Sequence, residues 1–162
     1  MKGRKIALRA LLTALALVLS YVESLLPPLA HLAPGLKLGL PNIAVVFALY
    51  RLGAKDAAAI SLLRVALAAL LFGSVLSLAY SAAGAAVSLG VMLLLRRSGR
   101  FGCTGVSVAG ALSHNLAQLA VAALLLETRQ LLWYLPALLL GGTAAGIVIG
   151  LAAALLVKRV KL

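Results

Sequence analysis

Of 162 residues, 64% are hydrophobic and 11% charged, with a mean hydropathy of +1.16; a soluble domain needs a polar surface and does not reach such values. The chain reads as an integral membrane protein, a single transmembrane domain over 1–162 with no length left for a separate soluble one. The 15 Lys+Arg against 3 Asp+Glu would suit nucleic acid by charge alone, but the basic residues form short clusters between apolar stretches, a pattern of membrane topology instead.

Six apolar segments occur in chain order: Ile6–Leu26, Leu38–Tyr50, Ala57–Phe72, Val75–Leu95, Thr104–Leu126 and Leu131–Val157, separated by polar, Gly or Pro punctuation. The first follows MKGRK; it is too long for the apolar core of a signal peptide and no convincing cleavage site follows, so it is expected to be a retained helix. The second is the awkward one. It begins inside PGLKLGLPN (34–42), and its span of about 20 Å falls short of a hydrocarbon core of about 30 Å.

The basic residues decide how often the chain crosses. With six crossings and the N-terminus inside, twelve Lys and Arg fall on the inner side and only Lys37 and Arg129 on the outer, as the enrichment of cytoplasmic loops in Lys and Arg requires. Dropping the second segment alone puts the C-terminal basic cluster on the wrong side. The expectation is a compact all-α bundle of six transmembrane helices with both termini cytoplasmic.

In the third segment, Arg64 lies near mid-span. Its guanidinium cannot shed its charge, so it either pairs with Glu23 or helix carbonyls, or meets a ligand. The fourth carries small residues at Gly73, Ser77, Ser81, Gly84 and Ser88, a face that lets helices approach closely, and Tyr80 in its outer third. In the fifth, ALSHNLAQLA places His114 and Gln118 on one helix face beside Asn115. These groups either bond neighbouring helices or form the polar wall of a pocket. The sixth has Trp133 and Tyr134 at the outer boundary and repeats the small-residue device at Gly142, Gly146 and Gly150.

Enzyme machinery is not expected. Glu23, Asp56 and Glu127 are far apart and, on this topology, Asp56 faces the other side, so no acidic cluster can hold Mg²⁺ against a diphosphate. No phosphate-binding loop occurs. His114 has no second imidazole or thiolate within helical reach and Cys103 is alone, so neither a metal nor a cofactor is expected. Glu23, Lys37, Asn42 and Tyr80 match in depth. With Arg64 they outline a cavity open to the outside, suited to a ligand with an anionic or strongly accepting head. The stretch 34–42 is then either the rim of that site or a short anchor.

Three stretches, PGLKLGLPNIAVVFALYRLG, SLLRVALAALLFGSVLSLAYSAAG and GVSVAGALSHNLAQLAVAALLL, closely resemble the bacterial Gx transporter family, also labelled heptaprenyl diphosphate synthase component I. The resemblance runs from about Ala7 to Lys158, with Pro41 standing where relatives are expected to carry Ala. That family is similar to the substrate-specificity subunits (S components) of energy-coupling factor transporters. The resemblance implies their six-helix fold, location in the cell membrane, capture of a micronutrient outside, a separate transmembrane coupling subunit and two cytoplasmic ATPases. It also implies a docking strip for the coupling subunit on the first helix, matched here by Ala10 and Ala14 in ALLTA. The label implies an alternative, a noncatalytic membrane subunit of isoprenoid synthesis. The ligand-binding residues expected on the first reading are Lys37, Asn42, Arg64, Tyr80, His114, Asn115 and Gln118.

Overall fold

The computed structural model describes residues 2–25 and 39–160; Lys37, expected at the rim of the site, lies outside them. The described residues are all-α: α1 (Lys2–Leu25), α2 (Asn42–Arg51), α3 (Ala54–Phe72), α4 (Val75–Ser98), α5 (Cys103–Leu125) and α6 (Leu135–Arg159), with a 3₁₀ turn, Arg129–Tyr134, leading into α6. Ala and Leu dominate these segments and favour helix, so the breaks fall at special residues. Gly53 (φ 109°) and Gly99 (φ 67°) take conformations that side chains disfavour. Ser74 and Ser77 form a reciprocal capping box at the start of α4.

Four helical segments are long and apolar enough to cross a membrane: Gly3–Leu25, Val75–Ser98, Cys103–Leu125 and Arg129–Arg159. The molecule is a multi-pass membrane protein. Helix α3 has 19 residues, about 28 Å at the helical rise, but carries Lys55, Asp56 and Arg64.

Helix α2 departs from the expected Leu38–Tyr50. It starts only at Asn42 and has 10 residues, roughly 15 Å or half the hydrocarbon thickness. The late start has a local cause. Gly39 is at φ 73°, Pro41 has no N–H to offer, and a tight turn closes through Asn42 N–H to the Gly39 carbonyl at 2.8 Å. Every residue from Ala44 to Leu49 is buried, the signature of a helix surrounded by protein on all sides. It packs on α1, α3 and α6.

Contacts between helix ends establish which ends share a side. Arg9 of α1 meets Asp56 of α3 at 2.6 Å. Arg51 of α2 donates to the Val160 carbonyl just past α6, and the Arg96 guanidinium of α4 lies over the Tyr50 ring, 5.2 Å from its centroid. At the other end Tyr21 of α1 packs edge-on against Phe72 of α3 at 5.8 Å. The start of α1, end of α2, start of α3 and ends of α4 and α6 therefore lie together. Among the described residues this basic end holds Arg4, Lys5 and Arg9 from α1, Arg51 and Lys55 around the α2–α3 turn, Arg96 and Arg97 in the last turn of α4 with Arg100 just after it, and Lys158 and Arg159 from α6. Its one described acid is Asp56.

Helices α4, α5 and α6 form the most closely packed part of the bundle, and glycine makes that packing possible. A Cβ added at Gly146 would meet the Val108 Cα at 2.7 Å, and one at Gly150 the Thr104 Cα at 2.7 Å. The expected small-residue strip of α6 is thus a backbone-to-backbone contact with α5. The strip of α4 is only partly so: Gly84 and Ser88 are buried, and Ser88 Oγ donates to the Gly110 carbonyl at 2.8 Å, whereas Gly73 and Ser77 belong to the exposed α3–α4 turn and cap. Gly146→Ala is expected to destabilise the protein by about 1–3 kcal/mol through overpacking. Gly90→Ala, with nothing within 4 Å of the new Cβ, serves as the neutral control in thermal unfolding in detergent.

Candidate functional site

The polar groups gather at one depth because α2 stops there. Counting from Arg51 and Val160, which touch, Asn42 is about 14 Å up α2 and Ile149 about 16 Å up α6 by helical rise, and a Cβ at Gly39, in the turn before Asn42, would lie 3.3 Å from Ile149 Cδ1. The chain therefore enters α2 near the middle of the bundle. The backbone of that entrance is served from α1: Gly39 N–H donates to Glu23 Oε1 at 2.5 Å. A carboxylate at this depth has to be compensated, and Glu23 acts electrostatically on Arg64 of α3. Glu23 thus ties α1 to the start of α2 by a hydrogen bond and lies within electrostatic reach of Arg64 on α3. The sequence placed Glu23 as a partner for Arg64 and at the depth of the expected cavity, not as an acceptor for backbone; the juxtaposed Gly39 and Pro41, which leave a turn amide needing an acceptor, were the signal for that further role.

Arg64 is the outlier. Its Nε is sealed from solvent and has no hydrogen-bond partner among the described residues. A buried donor left unmade costs about 1–3 kcal/mol, so its retention at mid-span asks for a use. Asn42, the first residue of α2, is half-buried beside Gly39, with its Nδ2 3.4 Å from where a Gly39 Cβ would lie.

The second polar group lies on α4, α5 and α6. The His114 ring covers Gly84, where a Cβ would come within 3.0 Å of Cε1. Asn115 is buried and donates from Nδ2 to the Leu138 carbonyl at 3.1 Å, and Gly142 makes room for it, since a Cβ there would sit 2.6 Å from that nitrogen. Asn115 thus fastens α5 to α6. Gln118, one turn further, is buried and makes no hydrogen bond among the described residues. Tyr80 is half-buried on α4.

The structure therefore brings Asn42 and Arg64 together with Glu23 on the α1–α2–α3 side. It brings His114, Asn115 and Gln118 together on the α4–α5–α6 side, and Gly39 lies against Ile149 of α6 where the two sides meet. Ala10 and Ala14 are exposed on α1 beside Leu11, Leu15 and Val18, also exposed. Among the described residues no group of three His, Cys, Asp or Glu side chains is placed to hold a metal ion.

An apolar exterior over helices of membrane length, around a half-length helix and a polar interior layer, defines a polytopic helical membrane protein. A family model described as heptaprenyl diphosphate synthase component I matches residues 12–156. The chain belongs to that family. No curated protein and no solved structure matches it.

If Glu23 carries both connections, its removal is felt twice. Glu23→Gln and Arg64→Met are each expected to destabilise by about 1–3 kcal/mol, while the double variant falls short of the sum by on the order of 1 kcal/mol because the pair is coupled. Denaturant unfolding in micelles of the four proteins of this cycle provides the check; strict additivity would remove the link.

Proposed function

We propose that the chain is the noncatalytic, substrate-binding membrane subunit of an energy-coupling factor-type importer. The observation that supports this best is α2: a helix that ends half-way through the bundle, with Arg64 short of a partner beside its start. Irregular backbone at membrane depth is tolerated where it is enclosed by protein or lines a cavity, and broken helices meeting ionisable groups at the midplane are a device of transporters. The basic end is cytoplasmic on the Lys and Arg rule, so both termini lie inside and the half of the bundle above α2 opens outward.

On this reading Arg64 holds an anionic or strongly accepting ligand head, while Asn42 and Gln118 supply hydrogen bonds and Tyr80 and His114 a half-polar wall. Asn115 sets the wall's position through its bond to α6. The unpartnered face of α1 with Ala10 and Ala14 receives a transmembrane coupling subunit, small residues letting a second helix approach, and separate cytoplasmic ATPases provide the energy. The six-helix order agrees with the resemblance to S components.

Gentle extraction of the tagged protein, followed by mass spectrometry of bound small molecules and proteins, tests the proposal. A small ligand lost on Arg64→Ala, together with a coupling subunit and ATPases, is the expected result. The family's description supports a second reading, an accessory to prenyl diphosphate synthesis; recovery of a soluble prenyltransferase without ATPases or ligand would favour it and overturn the first.

A further inference from the structure

The charge at the basic end is far greater than the contacts there consume. Arg9 is taken by Asp56, Arg51 by the Val160 carbonyl and Arg96 by the Tyr50 ring. Arg97, Lys158 and Arg159 are exposed and have no hydrogen bond or ion pair among the described residues.

Their placement relative to apolar side chains says what could meet them. On α6, Val148, Leu151 and Leu155 are exposed at 65%, 53% and 59%, spaced three and four apart, and Lys158 and Arg159 continue that face. On α4, Leu94 is 67% exposed and Arg97 follows it by one turn. Each stripe runs from leucine straight to an unpaired cation. A soluble acidic protein would meet the cations and leave the leucines uncovered; a phospholipid covers both, with acyl chains along the stripe and phosphate at its end. The opposite end provides contrast. Leu124, Leu125 and Leu126 are just as exposed, but the charges beside them are Glu127 and Arg129, one of each sign.

We propose that the basic end is a binding surface for anionic phospholipids, with headgroup phosphates held by Arg97, Lys158 and Arg159 and acyl chains lying on Leu94, Leu151 and Leu155. The preference does not depend on the transport reading. It follows from cations at the level of the headgroups being attracted to an anionic leaflet and from apolar side chains supplying the contact below them.

The test uses the full chain in nanodiscs of phosphatidylcholine with and without phosphatidylglycerol, read by thermal unfolding, and native mass spectrometry of retained lipid. Phosphatidylglycerol is expected to raise the melting temperature and to be retained over phosphatidylcholine, with both effects fading as salt is raised. Arg97→Gln, Lys158→Gln and Arg159→Gln together should weaken that preference by on the order of tenfold or more. The charge-keeping set Arg97→Lys, Lys158→Arg and Arg159→Lys should retain it. Unchanged melting of the glutamine variant in pure phosphatidylcholine shows that the fold survives; should it fail to fold, the salt dependence of the native chain decides. Equal retention of the two lipids, or a preference insensitive to salt, overturns the proposal. So does salt-dependent binding of polyglutamate without lipid preference, which would make the end a protein-docking face.

Discussion

Helix α2 is half as long as the membrane is thick, and the rest of the structure accommodates that fact. A lipid-facing helix that stopped at mid-depth would leave backbone groups in hydrocarbon at a cost of several kcal/mol each. Here the helix is enclosed, with Ala44 to Leu49 buried without interruption. Its lower end is tied by Arg51 to the end of α6. Its upper approach is tied by the Gly39 amide to Glu23, which lies within electrostatic reach of Arg64. The Glu23 acceptor follows from a helix that begins inside the bundle.

The two halves of the molecule are held by different forces. Burying leucine against leucine gains little in a medium already apolar, so helix association relies on close van der Waals approach and interhelical hydrogen bonds. Helices α4, α5 and α6 use both, with Gly146 and Gly150 admitting the α5 backbone and Ser88 and Asn115 bonding carbonyls of neighbouring helices. On the other side α1, α2 and α3 share a buried apolar cluster that includes Leu12, Ala16, Val45, Leu49 and Ile60, with the Arg9–Asp56 ion pair at the basic end and Glu23 within electrostatic reach of Arg64 higher up.

Much of this was legible in the sequence. Hydropathy located all six helices, and basic residues sorted themselves to one end because each helix end carries its own cluster. The glycines of α6 announced their packing by a spacing of four. What escaped was whatever depended on a partner distant in sequence. Nothing near residue 39 says that its amide meets Glu23, and nothing near Asn115 says that its amide nitrogen is given to Leu138. Gly73 and Ser77 fitted the α4 small-residue pattern by spacing, yet they cap and turn, since the neighbouring Ser74 claims Ser77 for the capping box. The shortness of α2 was visible, but its true start required knowing that Gly39 takes a positive φ and so ends any upstream continuation of the helix.

The most direct test of this account measures where α2 begins. In a Cys103→Ser background, nitroxide labels at Leu40, Lys55 and Val75 taken in pairs report whether Leu40 lies between the two ends of the bundle. The account predicts 40–55 and 40–75 distances within a few Å of each other, each well below the roughly 28 Å length of α3. A Leu40 label lying beside Val75, with 40–55 approaching the full length of α3, would place the start of α2 at the far surface and contradict it.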